Sequence, residues 1–343
     1  MRGETMLKSY YITDHQLHPH DGPLTDADII ITASPHQDEQ EAICQQFDLD
    51  PLTFQFCNSP EEVARFHPTP STVLNQPSLL VLYDFNAECK RIEEQLAPAI
   101  FIWDDQHLII STVAVMDCYS LLQETVKKTT SPVKIMLPLI SHWQDRLMMA
   151  LMKYKSQIDK LDRGARKTIE NDELRHLTNL IRKLVFFEHT MNDQNDTLSS
   201  FLASSDVEEI DHQIILDIQT KQRRLNKAIH IFRDLLDSVS GLFTSMMDNN
   251  LNHLMKFLDS AALVIAIPAL VSGLMGMNVG GLPWKNDPYG FWMIFIIAII
   301  IALVAAYYLN HKEYTDWKWP TGVHPAGHFH LSIKLFFNRV LGS

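Results

Sequence analysis

The chain has 343 residues and a formal net charge of −12, from 41 acidic and 29 basic residues. An acidic surface repels nucleic acid and attracts cations, so a nucleic-acid partner is not expected. The four cysteines are irregularly spaced and form no CxxC pair, which indicates reduced thiols in a cytoplasmic domain rather than a disulfide framework. No apolar run of signal-peptide length follows residues 1–4, so we expect the N-terminus to remain in the cytoplasm.

Residues 1–130 predict a cytoplasmic α/β domain. Short runs rich in β-branched and other apolar residues predict strands, and two of these flank a turn at 104–107, which indicates a hairpin. The predicted strands are residues 28–32, 79–85, 99–103 and 108–113, and the predicted helices are residues 39–47 and 116–129. The sequence has no glycine-rich phosphate loop, HExxH motif or nucleophile elbow, so we do not expect an enzyme. The lone His67 and His107 are expected to have structural roles.

Residues 131–205 predict a helical hairpin. Apolar residues recur here at spacings of three and four, with charged residues between them, which is typical of amphipathic helices. The two long helices are predicted at residues 137–168 and 172–200.

Residues 206–278 predict a stalk helix that continues into a membrane span. The run from Ser205 to Glu208 has a capping-box pattern, which predicts a helix start near Asp206. No proline follows until Pro268, and a single rod from Asp206 to Met277 would be about 105 Å long at ~1.5 Å per residue. That length exceeds one globular domain and therefore predicts a rod that leaves the soluble domain and crosses the bilayer.

Two apolar runs near the C-terminus predict a membrane hairpin. Residues 261–277 contain no charge, and residues 291–309 contain neither charge nor proline. A bilayer core of about 30 Å needs about 20 apolar residues, so the second run spans outright and the first spans with residues 254–260 added. The extracytoplasmic loop, residues 279–290, is short. Both ends of the protein therefore lie on one side of the membrane, which we expect to be the cytoplasm.

The cytoplasmic tail, residues 310–343, has mixed features. Residues 331–341 mix apolar side chains with Lys334 and Arg339, which predicts an amphipathic helix on the membrane surface. A transition-metal site is the weaker alternative, because Pro325 interrupts its three histidines and no cysteine joins them: His324, His328 and His330.

One face of the first span carries small side chains and polar groups. Its small residues share a stripe on a helix, and the stripe extends towards the cytoplasm through polar and larger residues. The stripe contains Asn252, Met255, Asp259, Ala262, Ala266, Ala269 and Gly273. It could mediate close helix packing, or it could line a narrow pore with polar groups at both ends. Two spans of one chain cannot enclose a pore, so the second interpretation requires an oligomer with the first span innermost.

The tripeptide Gly276-Met277-Asn278 ends the first span on its outer side. Mg²⁺ gives up its waters reluctantly. A ring of neutral amide oxygens could therefore accept hydrogen bonds from a hydrated ion without stripping it, whereas a ring of carboxylates would hold the ion too tightly. The alternative is a helix C-cap that uses Gly and Asn, and the two roles are compatible.

This tripeptide, after the first of two C-terminal spans, resembles the signature of the CorA-type divalent-cation transporters. Upstream residues also match the types that this family has at the same distances: Asn252, Met255, Lys256 and Leu258. The resemblance implies a CorA-like fold, with an α/β N-terminal cytoplasmic domain, then long helices, and a stalk helix that continues into the first of two transmembrane helices. It also implies a homopentamer.

The resemblance further implies roles for particular residues. Asn278 would form the first recognition ring, and a constriction would lie near Met255 and Leu258. Gating would depend on a cation bound between cytoplasmic domains. Asp217 lies about where the family has a sensing aspartate; the alternative is a solvated acidic first turn of the helix.

Four features depart from the family pattern. Met275 replaces a frequent aromatic residue, and the basic end is reduced to His311-Lys312. Residues 279–284 of the loop lack the acidic residues common in magnesium transporters and resemble the zinc-transporting, ZntB-like branch. Asp259 has no counterpart. It could form a carboxylate ring at the inner mouth, or it could pair with Lys256 at the membrane interface.

These observations predict a divalent-cation channel or transporter of the inner membrane, acting with further copies of the chain in the lipid bilayer. Mg²⁺ is the expected substrate and a candidate regulatory ion, with Co²⁺ and Ni²⁺ as related substrates and no organic cofactor. Passive flow down the membrane potential is the expected mechanism. A Zn²⁺ or other transition-metal transporter, with proton coupling, is one alternative, and a non-conducting membrane-anchored sensor or scaffold is the other.

Overall fold

The computed structural model describes residues 7–33, 35–54, 62–89, 91–112, 115–165, 171–208, 210–277 and 288–311. Its contacts divide the chain into two compact units. The first unit consists of Met1–Asp162 and Asp172–Val239, and the second consists of Arg163–Asn171 and Ser240–Ser343.

The first unit contains a seven-stranded mixed sheet. Its strands are β1 (Lys8–Thr13), β2 (Gln16–His20), β3 (Ile29–Ala33), β4 (Arg65–Pro68), β5 (Ser78–Phe85), β6 (Leu96–Trp103) and β7 (Leu108–Thr112). Their spatial order is β2-β1-β3-β7-β6-β5-β4, and β3 and β7 pair in parallel while the other neighbours are antiparallel. The four strands predicted from the sequence are confirmed, and so is the hairpin in which Trp103 faces Leu108.

Strands β1, β2 and β4 were not predicted. β1 and β2 are joined at Asp14 and His15, which both have positive φ, at 52° and 57°. Such a tight turn matches the right-handed twist of a hairpin, but it is normally marked by Asn-Gly or Asp-Gly. The Asp-His pair gives no such signal, and both strands are short and polar, so the sequence pattern did not reveal them.

Seven α-helices are described alongside the sheet. They are α1 (Gln37–Phe47), α2 (Ile92–Gln95), α3 (Val115–Val126), α4 (Pro132–Ala165), α5 (Asn171–Leu202), α6 (His212–Met275) and α7 (Gly290–His311). The predicted helices at 39–47 and 116–129 and the two long helices correspond to α1, α3, α4 and α5.

Both faces of the sheet are buried. One face packs Leu80, Leu82 and Phe101 against side chains of α3, α4 and α5, and the other packs Leu79 and Val81 against α1. Successive strand residues point to opposite faces, so adjacent leucines in β5 enter different cores. The central strands are consequently apolar without alternation, which explains why β5 and β6 were evident in the sequence.

Helix α6 begins at His212, and the predicted start near Asp206 is wrong. Residues Ser205–Val207 instead form a separate 3-10 turn. The side chain of Asp211 accepts a hydrogen bond from the backbone N–H of Gln213, 2.9 Å away, and so caps the helix. Asp206 accepts a hydrogen bond from the Ser78 hydroxyl at 3.1 Å, which fixes the 3-10 turn to the sheet.

Three buried glutamines join α4, α5 and α6 within the first unit. The amide groups of Gln144 and Gln194 donate to Oε1 of Gln222 at 3.2 Å and 3.1 Å. Gln194 also accepts from the backbone N–H of Tyr83 in β5, at 2.8 Å. Because buried polar groups are costly without partners, this network fixes how α6 packs on the domain.

The turn at 104–107 has a structural role. Oδ1 of Asp104 accepts from the backbone N–H groups of Gln106 and His107, and Oδ2 accepts from that of Asn75. The His107 ring lies 3.0 Å from Oδ1 of Asp104 and 3.2 Å from the Thr25 carbonyl oxygen. Burial would by itself raise the pKa of Asp104, but the three backbone hydrogen bonds outweigh it and hold that pKa below its ordinary value.

Candidate functional site

The second unit contains the apolar part of the chain. Among the described residues, α6 and α7 are long and apolar enough to cross a membrane. Most side chains of α7 and of the C-terminal part of α6 are exposed in the isolated chain, which is the pattern of helices that face lipid or other subunits.

The small-residue stripe of α6 lies on an exposed face of the helix. A Cβ added at Gly273 would meet nothing within 4 Å, so this face is open in the single chain. All four of its small residues are exposed: Ala262, Ala266, Ala269 and Gly273. The stripe is therefore available for contact with other copies or with a water-filled path.

A different face of α6 is covered. Val264, Ile267, Pro268, Val271 and Met275 are partly buried, and their spacing places them on one side of the helix, away from the small stripe. Packing within the chain therefore uses the larger side chains.

The covered face of α7 consists mostly of small residues and was not predicted from the sequence. Gly290 and Ala298 are buried, and Ile294, Ala302 and Ala305 are partly buried. The spacing of three and four residues was visible in the sequence and would have identified this face. Small residues allow close approach of helices. Both covered faces lie in the second unit.

The outer end of α6 is described as far as Met277. The helix ends at Met275, the N–H of Gly276 donates to the Ser272 carbonyl at 2.9 Å, and the N–H of Met277 donates to the Leu274 carbonyl at 3.4 Å. Gly276 and Met277 are exposed. Asn278, the residue assigned to ion recognition, lies outside the described residues, as do most of the loop and the tail with its three histidines.

The inner end of the stripe is exposed as well. Asn252, Met255, Leu258 and Asp259 are exposed residues of α6. These four residues lie on the same broad face of α6 as the small stripe, because most of the steps between them and on to Ala262 are three or four residues long. The face thus carries an amide, two apolar side chains and one carboxylate before the small residues begin.

Asp217, the candidate sensing residue, lies in the second turn of α6 with its side chain 61% exposed. Asp217 pairs with Lys221 on the same helix, whose ammonium lies 3.9 Å from Oδ2 of Asp217. That ammonium also contacts Asp145 and Ser141 of α4, both at 2.7 Å. No group of three or more metal-binding side chains occurs in the part of the chain that the structure describes.

Comparison with known proteins identifies the class of molecule to which this fold belongs. The sequence matches the family described as CorA-like Mg²⁺ transporter protein over residues 28–312. This match covers most of the chain, and the chain therefore belongs to the CorA-like family. The family consists of membrane transporters rather than enzymes, and the chain is a membrane protein with two C-terminal apolar helices.

Curated relatives include both magnesium and zinc transport proteins. The cobalt/magnesium transport protein CorA of Methanocaldococcus jannaschii is 23% identical over 161 residues, 46% of this chain and 50% of that protein. CorA of Thermotoga maritima is 20% identical over 224 residues, 60% and 64% of the two chains. The zinc transport protein ZntB of Yersinia enterocolitica is 26% identical over 142 residues, 39% and 42% of the two chains. This chain thus spans about half the length of the curated relatives it matches.

Solved structures support the same fold. The complete structure of the CorA magnesium transporter from M. jannaschii has a TM-score of 0.70 at 14% identity and covers 92% of this chain and all of that one. The full-length CmaX protein has a TM-score of 0.65 at 15% identity, covering 90% and 100%. The predicted fold, an α/β domain followed by a long stalk helix and two C-terminal apolar helices, is therefore confirmed.

Proposed function

We propose that this protein is a divalent-cation channel or transporter whose pore is lined by the C-terminal part of α6 from several copies. The observation that carries the proposal is the exposure of the small-residue stripe on the face of α6 opposite its covered side. If the stripe only packed α6 against α7, its small residues would be covered within the chain. Their exposure leaves them for the axis of an oligomer.

Mg²⁺ is the substrate that we propose first. The tripeptide at the outer end supplies a neutral amide in Asn278, which suits a cation that keeps its waters. Three relatives named above support cation transport, since two of them are CorA proteins and one is a ZntB protein. Zn²⁺ is the second candidate substrate, favoured by the ZntB match and by a loop without acidic residues apart from Asp287.

The proposal includes assembly and orientation. We place the protein in the inner membrane as a homopentamer with both termini in the cytoplasm, Met255 and Leu258 near a constriction, and Mg²⁺ as an additional regulatory ligand near Asp217. Chemical cross-linking of the purified protein should give a ladder that ends at five copies. A protease added outside intact cells should leave tags on both termini uncut, and cleavage of either tag would contradict the orientation.

A flux experiment tests the function. Vesicles that contain the purified protein and an Mg²⁺-sensitive or Zn²⁺-sensitive dye should report entry of one of these ions. Competition among Mg²⁺, Co²⁺, Ni²⁺ and Zn²⁺ would then rank the substrates. Entry of none of these ions would overturn the proposal in favour of a non-conducting sensor or scaffold.

The role of Asn278 has its own test in the same vesicles. Asn278→Ala should abolish ion entry or remove discrimination among the cations, because the methyl group cannot accept a hydrogen bond from the hydration shell. Asn250→Ala is the matched control, since Asn250 is an exposed residue of α6 on another face. Unchanged flux and selectivity in Asn278→Ala would show that ion recognition lies elsewhere.

A further inference from the structure

Asp259 is a carboxylate on the membrane helix that the proposed function does not yet use. The helix continues from Asp259 to Met275, a distance of about 24 Å at 1.5 Å per residue. The hydrocarbon core is about 30 Å thick. With the Gly276 end at the outer surface, as the proposed function has it, Asp259 lies just inside the inner boundary of the hydrocarbon.

The structure favours a carboxylate that is not neutralised within the chain. Asp259 is exposed, and Lys256, one turn earlier, is exposed as well. Among the described residues, neither side chain forms an ion pair. The alternative in which Asp259 only balances Lys256 at the interface therefore has no support from their geometry.

An exposed carboxylate at this depth needs water. Ionisable side chains inside a membrane are costly when they face lipid, and they typically face a bundle interior or a water-filled cavity. Asp259 shares its face of α6 with Ala262 and Ala266, which are small and also exposed. A water-filled path along this face accounts for both observations.

We propose that the Asp259 side chains of the assembled copies form a carboxylate ring that binds the permeating divalent cation at the inner mouth of the pore. This inference rests on the proposed function. Hard divalent cations prefer oxygen ligands, and rings of acidic side chains select cations in channels. The neutral amides at the outer entrance would then bind the hydrated cation through its waters, while the carboxylates at the inner mouth would raise the local concentration of cations. A carboxylate ring at the outer entrance would hold the hydrated ion too tightly, whereas a ring at the inner mouth opens directly on the cytoplasm, where bulk water competes for the ion.

Flux through vesicles that contain the full chain tests the ring. Asp259→Asn should raise the Mg²⁺ concentration for half-maximal flux by roughly tenfold or more, because one sign of charge in a narrow cleft raises the local concentration of counter-ions by at least that factor. Asp259→Glu should restore the wild-type value. If Asp259 only balanced Lys256, the double change Lys256→Gln with Asp259→Asn would restore it instead, and that result would overturn the inference.

A second measurement does not depend on transport. Cysteines introduced by Asp259→Cys should form disulfide-linked pairs of copies when the membranes are oxidised, because a ring brings these positions together. Phe257→Cys is the control at the same depth, since residue 257 points to nearly the opposite side of α6 and is 45% exposed. Cross-linking at 257 and not at 259 would refute the ring even if the protein transports ions. Absent flux with cross-linking at 259 would instead refute the proposed function and leave the arrangement of the copies standing.

Discussion

Lys221 of α6 and Asp145 of α4 form an ion pair with Nζ and Oδ2 2.7 Å apart. The same ammonium lies 3.9 Å from Oδ2 of a second carboxylate, Asp217, and donates to the Ser141 hydroxyl at 2.7 Å. The Lys221 ammonium thus lies between two carboxylates and links α6 to α4. Asp217 therefore has an ion-pair partner on its own helix.

Lys221→Met should lower the stability of the protein by about 0.5–1 kcal/mol, because the pair is partly exposed and screened by solvent. Thermal unfolding of the detergent-solubilised protein measures this loss. Lys155→Met is the matched control, since Lys155 pairs with Asp159 on one helix at 3.1 Å and joins no second element. Equal effects of the two changes would show that the link between α4 and α6 adds nothing.

Arg146→Leu should lower the stability of the protein far more than Lys221→Met does. The Nε of Arg146 lies 3.3 Å from Oδ1 of the fully buried Asp84, and Nη2 donates to the Phe85 carbonyl at 2.6 Å. Removing the guanidinium leaves a buried carboxylate without its cation, which costs about 3–5 kcal/mol. Chemical denaturation should show this loss, and adding Asp84→Asn should recover part of it. Arg182 pairs with Glu93 but its own side chain is 70% exposed, so Arg182→Leu should cost less than ~1 kcal/mol.

Asp104 should make the stability of the folded protein depend on pH. Its folded-state pKa lies below the ordinary value of 3.8, so the ionised group stabilises the folded state fully above that value. The contribution is lost as pH falls through the lowered pKa. The stability advantage of wild type over Asp104→Asn should therefore shrink as pH falls through 3.8 towards the lowered pKa, as followed by thermal unfolding. The exposed Asp105→Asn control should show a smaller change, and a constant difference between wild type and Asp104→Asn would contradict the assignment.

Ala266→Leu should block the path along α6. Ala266 is an exposed member of the small stripe, so three added carbon atoms from each copy would enter the proposed pore. Ion flux into vesicles should fall by about tenfold or more, since a wider apolar side chain closes a narrow pore by steric block and dewetting. Val304→Leu, at a 62% exposed position of α7, should leave flux unchanged. Normal flux in Ala266→Leu would place the stripe outside the pore.

Local patterns explain which elements the sequence could predict. The strands β5 and β6 are buried on both faces and so form continuous apolar runs, and α4, α5 and α6 repeat apolar residues at helical spacing. The boundary at His212 was missed because the capping pattern at Ser205 belongs to a 3-10 turn that is fixed by the contact between Ser78 and Asp206. That contact joins residues far apart in the chain, and a local pattern does not contain it.

The amino-acid sequence by itself determined the two apolar spans, the tripeptide that begins at Gly276 and the positions of Ala262 and Gly273 on one helical stripe, because each depends only on composition and on the helical repeat. Only the tertiary structure decided the order of the strands, the pairing of Lys221 with Asp145 and the face of α6 that remains open. These features depend on which distant segments exclude water from one another. The hydrophobic effect is non-directional and does not specify which segment buries a given apolar face, so the partner of each face is set by the fold as a whole.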